Sequence, residues 1–275
     1  MSNIIVSPEY ERLINEIKQL RTRLTSIIFE LDELKFVTCK NIEMRYMLEL
    51  GDLKYKVFKA ECEYRRCKRK LELIQAKINR QEFVDINTIE QQLDQEFASF
   101  MQELDNMWDR INEAIERRSC RSLSLPEAKE LKVLYRQIIK KLHPDMNPDV
   151  TDRQLQLFQS AVVAYRSGDL EAVRFIYRLI ENEEFDEEEL KSLEEYEDKK
   201  YEIEDDIETF QNEIDIIKTS YPYMLKDLLD DEQEITKRKN EFKIELKQYE
   251  SSTVQIKERI NNVIKERNGA GTWLS

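Results

Sequence analysis

Histidine occurs once in these 275 residues, glycine four times and proline five times. So few turn-forming residues, alongside 37% charged ones, point to long helices rather than a compact mixed fold. No run of eighteen apolar residues exists, and the N-terminus lacks the basic-then-apolar pattern of a secretory signal. A cytoplasmic chain with no membrane partner is the expectation. The four cysteines, Cys39, Cys62, Cys67 and Cys120, form no CxxC pair and have no second histidine to help them, so no metal site is expected. Cys67 falls on an apolar seam and reads as a buried thiol, and disulfides are unusual in a cytoplasmic setting. A phosphate-binding glycine loop, a nucleophile elbow and paired catalytic carboxylates with a supporting base are all missing. The chain is therefore expected to be no enzyme and to carry no cofactor.

Charge is abundant and unevenly placed. The formal net charge is −13, yet Glu181 to Asp215 alone holds 18 acidic residues against three lysines. Phosphate contacts need lysine and arginine, so this run argues against a nucleic-acid partner. A charge run reads first as a solvated helix face. Its functional alternative is an intramolecular mask that competes for a basic docking face.

Apolar residues recur with helical spacing along most of the chain. Ser7-Pro8-Glu9 is a helix start, and Leu13, Ile17, Leu20, Leu24, Ile27, Leu31 and Leu34 follow as a heptad seam that breaks near Thr38 to Asn41. A second helix, weak around Gly51, carries Val57, Ala60, Tyr64, Cys67, Leu71, Ile74 and Ile78. Its basic face at Arg65, Arg66, Lys68, Arg69 and Lys70 reads as a salt-bridging partner of the acidic C-terminal helix. Asn87 with Glu90 gives a capping-box pattern for a third helix, in which Trp108 lies beside the seam as packing. Later seams run through Leu193, Ile203, Ile207, Phe210 and Ile214, and, past Pro222, through Leu225, Leu228, Ile235, Phe242 and Ile260. Such helices must cover their apolar stripes. Pairing of the early seams with the late ones and homodimerisation through the same seams are both open on the sequence.

Between Pro126 and Ile180 the pattern changes, and three of the five prolines fall within 23 residues. Ser124 and Pro126 open a helix whose stripe is Leu131, Leu134, Tyr135, Ile138 and Leu142. Lys132, Arg136, Lys140 and Lys141 lie largely off that stripe and make its exposed face basic. His143 precedes Pro144, which ends the helix there. After a turn at Asp145 to Asp149, Thr151 or Asp152 caps a second helix with Leu155, Phe158, Ala161, Val162 and Tyr165. Gly168 stops it, and Asp169 caps a third, shorter helix. Two stripes facing each other across a proline-rich turn describe an antiparallel hairpin.

Tyr135-Arg136 through Lys140-Lys141, then His143-Pro144-Asp145, Asn147-Pro148, Phe158 and Ala164-Tyr165 resemble a J domain, the DnaJ-type co-chaperone module. The resemblance covers about a fifth of the chain. It implies docking on a DnaK-type heat-shock chaperone and stimulation of its ATP hydrolysis, with His143, Pro144 and Asp145 as the trigger. Lys132, Arg136, Lys140 and Lys141 would form the docking face. Three features depart from the family. No Asp-Tyr-Tyr-like first helix stands in Ser119 to Leu125, Met146 replaces the usual basic residue, and the third-helix Gln-Lys-Arg-Phe-like patch is missing.

The expected architecture is all-α, with long coiled-coil helices flanking a small J-like hairpin. Its parts are a helical region at 1–118, the J-like module at 119–182, an acidic coiled-coil region at 183–267 and a flexible tail at 268–275. The expected partners are a DnaK-type chaperone and a client of unknown identity. The competing reading is a structural coiled-coil scaffold whose J-like hairpin is not coupled to a chaperone.

Overall fold

A computed structural model describes residues 8–119, 123–181 and 192–270. Among these residues there is no strand, and the fold is all-α. The expected cap Ser7, Cys120, residues 182–191 of the acidic run and residues 271–275 of the expected tail lie outside the described residues. The chain divides into two compact units.

The first unit holds α1 (Pro8–Asp32), α6 (Leu125–Leu142), α7 (Asp152–Ser167), α8 (Leu170–Ile180) and α9 (Leu193–Thr219). α1 and α9 run parallel: Tyr10 packs edge-on against Tyr196, Glu16 pairs with Lys200 at 2.9 Å, and Glu30 pairs with Lys218 at 2.8 Å. The first seam and the acidic seam thus bury each other within one chain. Their apolar residues join those of α6, α7 and α8 in a single core that includes Leu24, Ile28, Ile203, Ile207 and Ile214.

The seam's expected break near Thr38 is not a break. Glu33–Thr38 is a π-helical stretch, and α2 (Cys39–Tyr46) follows it directly. A π turn fits an extra residue into the helix and resets the phase of the side chains, which ends the heptad count while the backbone continues.

The second unit holds α3 (Asp52–Asn79), α4 (Ile86–Glu96), α5 (Ala98–Ser119), α10 (Lys226–Asp230) and α11 (Glu232–Ala270). The helix leading into α3 and α3 itself run parallel to α11, with Glu49 paired with Lys239 at 2.6 Å and Glu63 with Lys257, and Tyr64 lies against Tyr249. Leu71, Ile74, Ile89, Leu93, Phe97 and Ile260 form the core. Gly51, which reads as a weak point in the sequence, ends a second π-helical stretch (Met47–Gly51) beside α5. A Cβ there would lie 3.3 Å from Ile111 Cγ1, so the missing side chain permits the close approach.

Several local expectations are corrected. The basic face of α3 pairs with α4, not with the acidic C-terminal helix: Arg66 reaches Glu90 and Asp94, Arg69 reaches Glu96, and Lys70 reaches Glu90. Asp85, not Asn87, caps α4, accepting from the Asn87 N–H at 3.0 Å, and Glu90 is spent on the α3 cations instead. Cys39 and Cys62 are buried, whereas Cys67 is only half-buried. Trp108, read as packing, does pack on the Tyr55 ring at 5.6 Å, although it is half-exposed. α11 continues to Ala270, so residues 268–270 are helical where a tail was expected.

Candidate functional site

α6 begins as its sequence requires. Ser124 and Glu127 form a reciprocal capping box, and Pro126 sits in the first turn. The helix ends at His143, whose extended backbone is what a residue preceding proline adopts. α7 opens with a second capping box, Thr151 with Gln154, and stops at Gly168 with φ 71°. Asp169 then caps α8 by accepting from the Ala172 N–H at 3.0 Å. α6 and α7 are antiparallel: Tyr135 stacks on Tyr165 at 4.0 Å and 7°, and His143 meets Phe158 edge-on at 5.1 Å. α8 returns along α6, held by Arg174, which grips both oxygens of Glu130 at 2.7 and 2.6 Å.

The turn after α6 is tied to itself. The N–H groups of Met146 and Asn147 both donate to the His143 carbonyl at 3.0 and 2.9 Å, and Asn147 Nδ2 donates to the Lys140 carbonyl at 3.0 Å. The Asp145 N–H donates to His143 Nδ1 at 3.2 Å, which places the neutral ring's proton on Nε2. These bonds present Asp145 outward, and its side chain is exposed. The imidazole is not outward: its side chain keeps only 16% of its accessibility. Burial pushes its pKa below the ordinary histidine range, against the opposing pull of Asp145.

Each expected docking residue can now be placed. Lys140 is exposed, and its ammonium has no ion pair among the described residues. Lys141 instead donates to the Ile180 and Glu181 carbonyls at 2.7 and 2.9 Å, capping the C-terminal end of α8. Lys132 pairs with Glu33 at 2.6 Å, and the Arg136 guanidinium lies over the Phe29 ring at 4.4 Å. Pro144 is half-buried. The turn thus brings His143, Pro144, Asp145 and Lys140 together, while Lys132 and Arg136 face α1 and Lys141 faces α8.

The residues that complete this neighbourhood come from outside the hairpin. α1 and the π turn after it run antiparallel to α6 and touch it and its turn through residues 25, 29, 32 and 33. Thr25 Oγ1 meets Met146 Sδ at 3.8 Å, Phe29 meets Arg136, Asp32 accepts from the Tyr135 hydroxyl at 2.7 Å, and Glu33 meets Lys132. Glu33 also accepts from the Tyr165 hydroxyl at 2.6 Å. Met146 is buried where α1 seats against the turn. From α9, Phe210 presents to His143 edge-on at 6.4 Å. Asp206 carries a raised pKa, chiefly from burial and next from the neighbouring charge of Asp145.

The alternative reading of the acidic run, a mask on the basic face, finds no counterpart in the partners of Lys132 and Arg136. Glu33 and Phe29 engage Lys132 and Arg136, whereas α9 supplies an aromatic ring to the histidine. The heptads marked Phe210 as a seam residue, but nothing in one sequence could aim it at residue 143.

No helix is long and apolar enough to cross a membrane, and no cluster of His, Cys, Asp and Glu could hold a metal ion, both among the described residues. Compared with known proteins, the chain matches no family model, no curated protein and no solved structure at a significant level.

Proposed function

We propose that α6 to α8 form a J-type docking module, which engages a DnaK-type chaperone and stimulates its ATP hydrolysis in the cytoplasm. The protein has no catalysis of its own in this reading, and its paired long helices present a client or a location. The observation that carries it is the turn at His143-Pro144-Asp145. This turn is braced by its own hydrogen bonds, projects Asp145, and directly follows a helix ending in the exposed Lys140. Exposed cations steer encounter with an acidic partner, and a rigid turn supplies the specific contact. Single-turnover ATP hydrolysis by a purified DnaK-type chaperone, with the full chain and with His143→Gln, tests the proposal. The native chain accelerates hydrolysis and the variant does not; equal rates with both, or no acceleration with either, would overturn it.

A second reading, the structural scaffold, is favoured by a specific observation. Lys132, Arg136 and His143 are all engaged within the molecule. In that case the hairpin is a packing element, and capture of partners is indifferent to changes at His143 and Asp145.

A further inference from the structure

Besides the buried apolar residues that α1 and α9 contribute to the shared core, each places side chains over the rim of α6 and its turn. The fully buried α6 side chains of that core include Tyr135, Ile138, Ile139 and Leu142. At the rim, α1 and the π turn after it meet the heads of two cations, with Phe29 under Arg136 and Glu33 on Lys132, while α9 closes over the imidazole with one ring. Lys132 stays exposed despite its ion pair, and Phe210 is only half-buried. Such exposed pairs and single edge contacts are individually weak, each worth well under what a buried aliphatic contributes. They also occupy three of the seven side chains that the docking reading requires.

We infer that the Glu33, Phe29 and Phe210 side chains are a releasable cover on the chaperone-docking surface of α6, and that binding requires Phe210 to leave His143 and Lys132 and Arg136 to leave Glu33 and Phe29. This inference rests on the docking function proposed above. A surface that is open only part of the time binds with an affinity reduced by its open fraction. The cover therefore sets how much chaperone is needed without altering the trigger itself. It also accounts for two helices from outside the hairpin reaching its turn: Thr25 reaches Met146 from α1, and Phe210 reaches His143 from α9.

The test uses the full chain and Phe210→Ala. Because the protein has one histidine, its ring protons give one assignable set of nuclear magnetic resonance signals. In the variant those signals titrate closer to the ordinary histidine range, and the chaperone concentration for half-maximal ATPase stimulation falls by about fivefold. Adding His143→Gln to that variant abolishes stimulation. Hydrogen exchange on the native chain needs no variant: amides around Phe29 and Phe210 lose protection when the ATP-loaded chaperone is added. Stimulation with unchanged protection and an unchanged half-maximal concentration overturns the cover and leaves the docking function standing. No stimulation by the native chain or by Phe210→Ala removes the docking function, and the cover with it.

Discussion

The Tyr135 hydroxyl donates to Asp32 at 2.7 Å from a ring that is fully buried and stacked on Tyr165. Burial raises the Asp32 pKa, and this hydrogen bond is the first force holding it down. Tyr135→Phe removes the donor and leaves a buried carboxylate short of a partner, a loss of about 1–3 kcal/mol. Asp32→Leu in the same background removes the stranded acceptor and recovers part of that loss. Urea denaturation of the two single variants and the double variant measures the coupling. Strictly additive effects would show that the pair does not interact.

Met146 is buried beside Thr25. Met146→Arg puts a charge into a site built for a thioether, and we expect a loss of about 2–4 kcal/mol. Met146→Leu keeps the volume and costs under about 1.5 kcal/mol. Thermal denaturation ranks the two variants, and equal midpoints would mean that α1 does not seat on the turn.

His143 makes stability depend on pH in one direction. Burial holds its pKa below the ordinary value, so the folded protein prefers the neutral ring. As pH falls through about 6.5, the unfolded chain takes up a proton that the folded chain accepts only at lower pH, and stability is lost across that window. Asp32, raised by burial, contributes in the opposite sense, gaining stability as pH falls. Comparing native chain with His143→Gln isolates the histidine. Between pH 7.5 and 5.5 the native chain loses more stability by urea denaturation than the variant does, and parallel losses would contradict a desolvated ring.

Gly168 ends α7 with φ 71°, and a Cβ built there would touch only Leu123 Cδ1, at 4.0 Å. The position is conformationally demanding but not crowded. Gly168→Ala costs about 1–2 kcal/mol, and Gly168→Asn costs less because asparagine tolerates the left-handed region. A denaturation series in which alanine and asparagine cost the same would point to crowding instead.

The helices, the hairpin and its caps were legible because they are local. Ser124, Thr151, Gly168 and Asp169 all act within five residues of themselves, as expected. What could not be read is non-local. A heptad seam shows that Phe210 or Leu24 must be covered but not by what, and parallel and antiparallel pairing demand the same spacing. The π turn at Glu33–Thr38 also mimics a helix end when only phase is counted. For the same reason the cations of α6 read as a free docking face: their intramolecular partners, Glu33 and Phe29, lie about a hundred positions earlier in the chain.

That π turn sits immediately after Asp32 and contains Glu33, the two carboxylates that clasp Tyr135, Lys132 and Tyr165. A widened turn holds one residue more than an ordinary one, so losing a single amino acid there restores plain α geometry without severing the helix. The change would rotate α1 by about a quarter-turn or slightly more against α2, as each residue advances the helix by roughly 100°. Deleting one residue at this spot is thus expected to swing the clasp off its tyrosines while every other residue is kept.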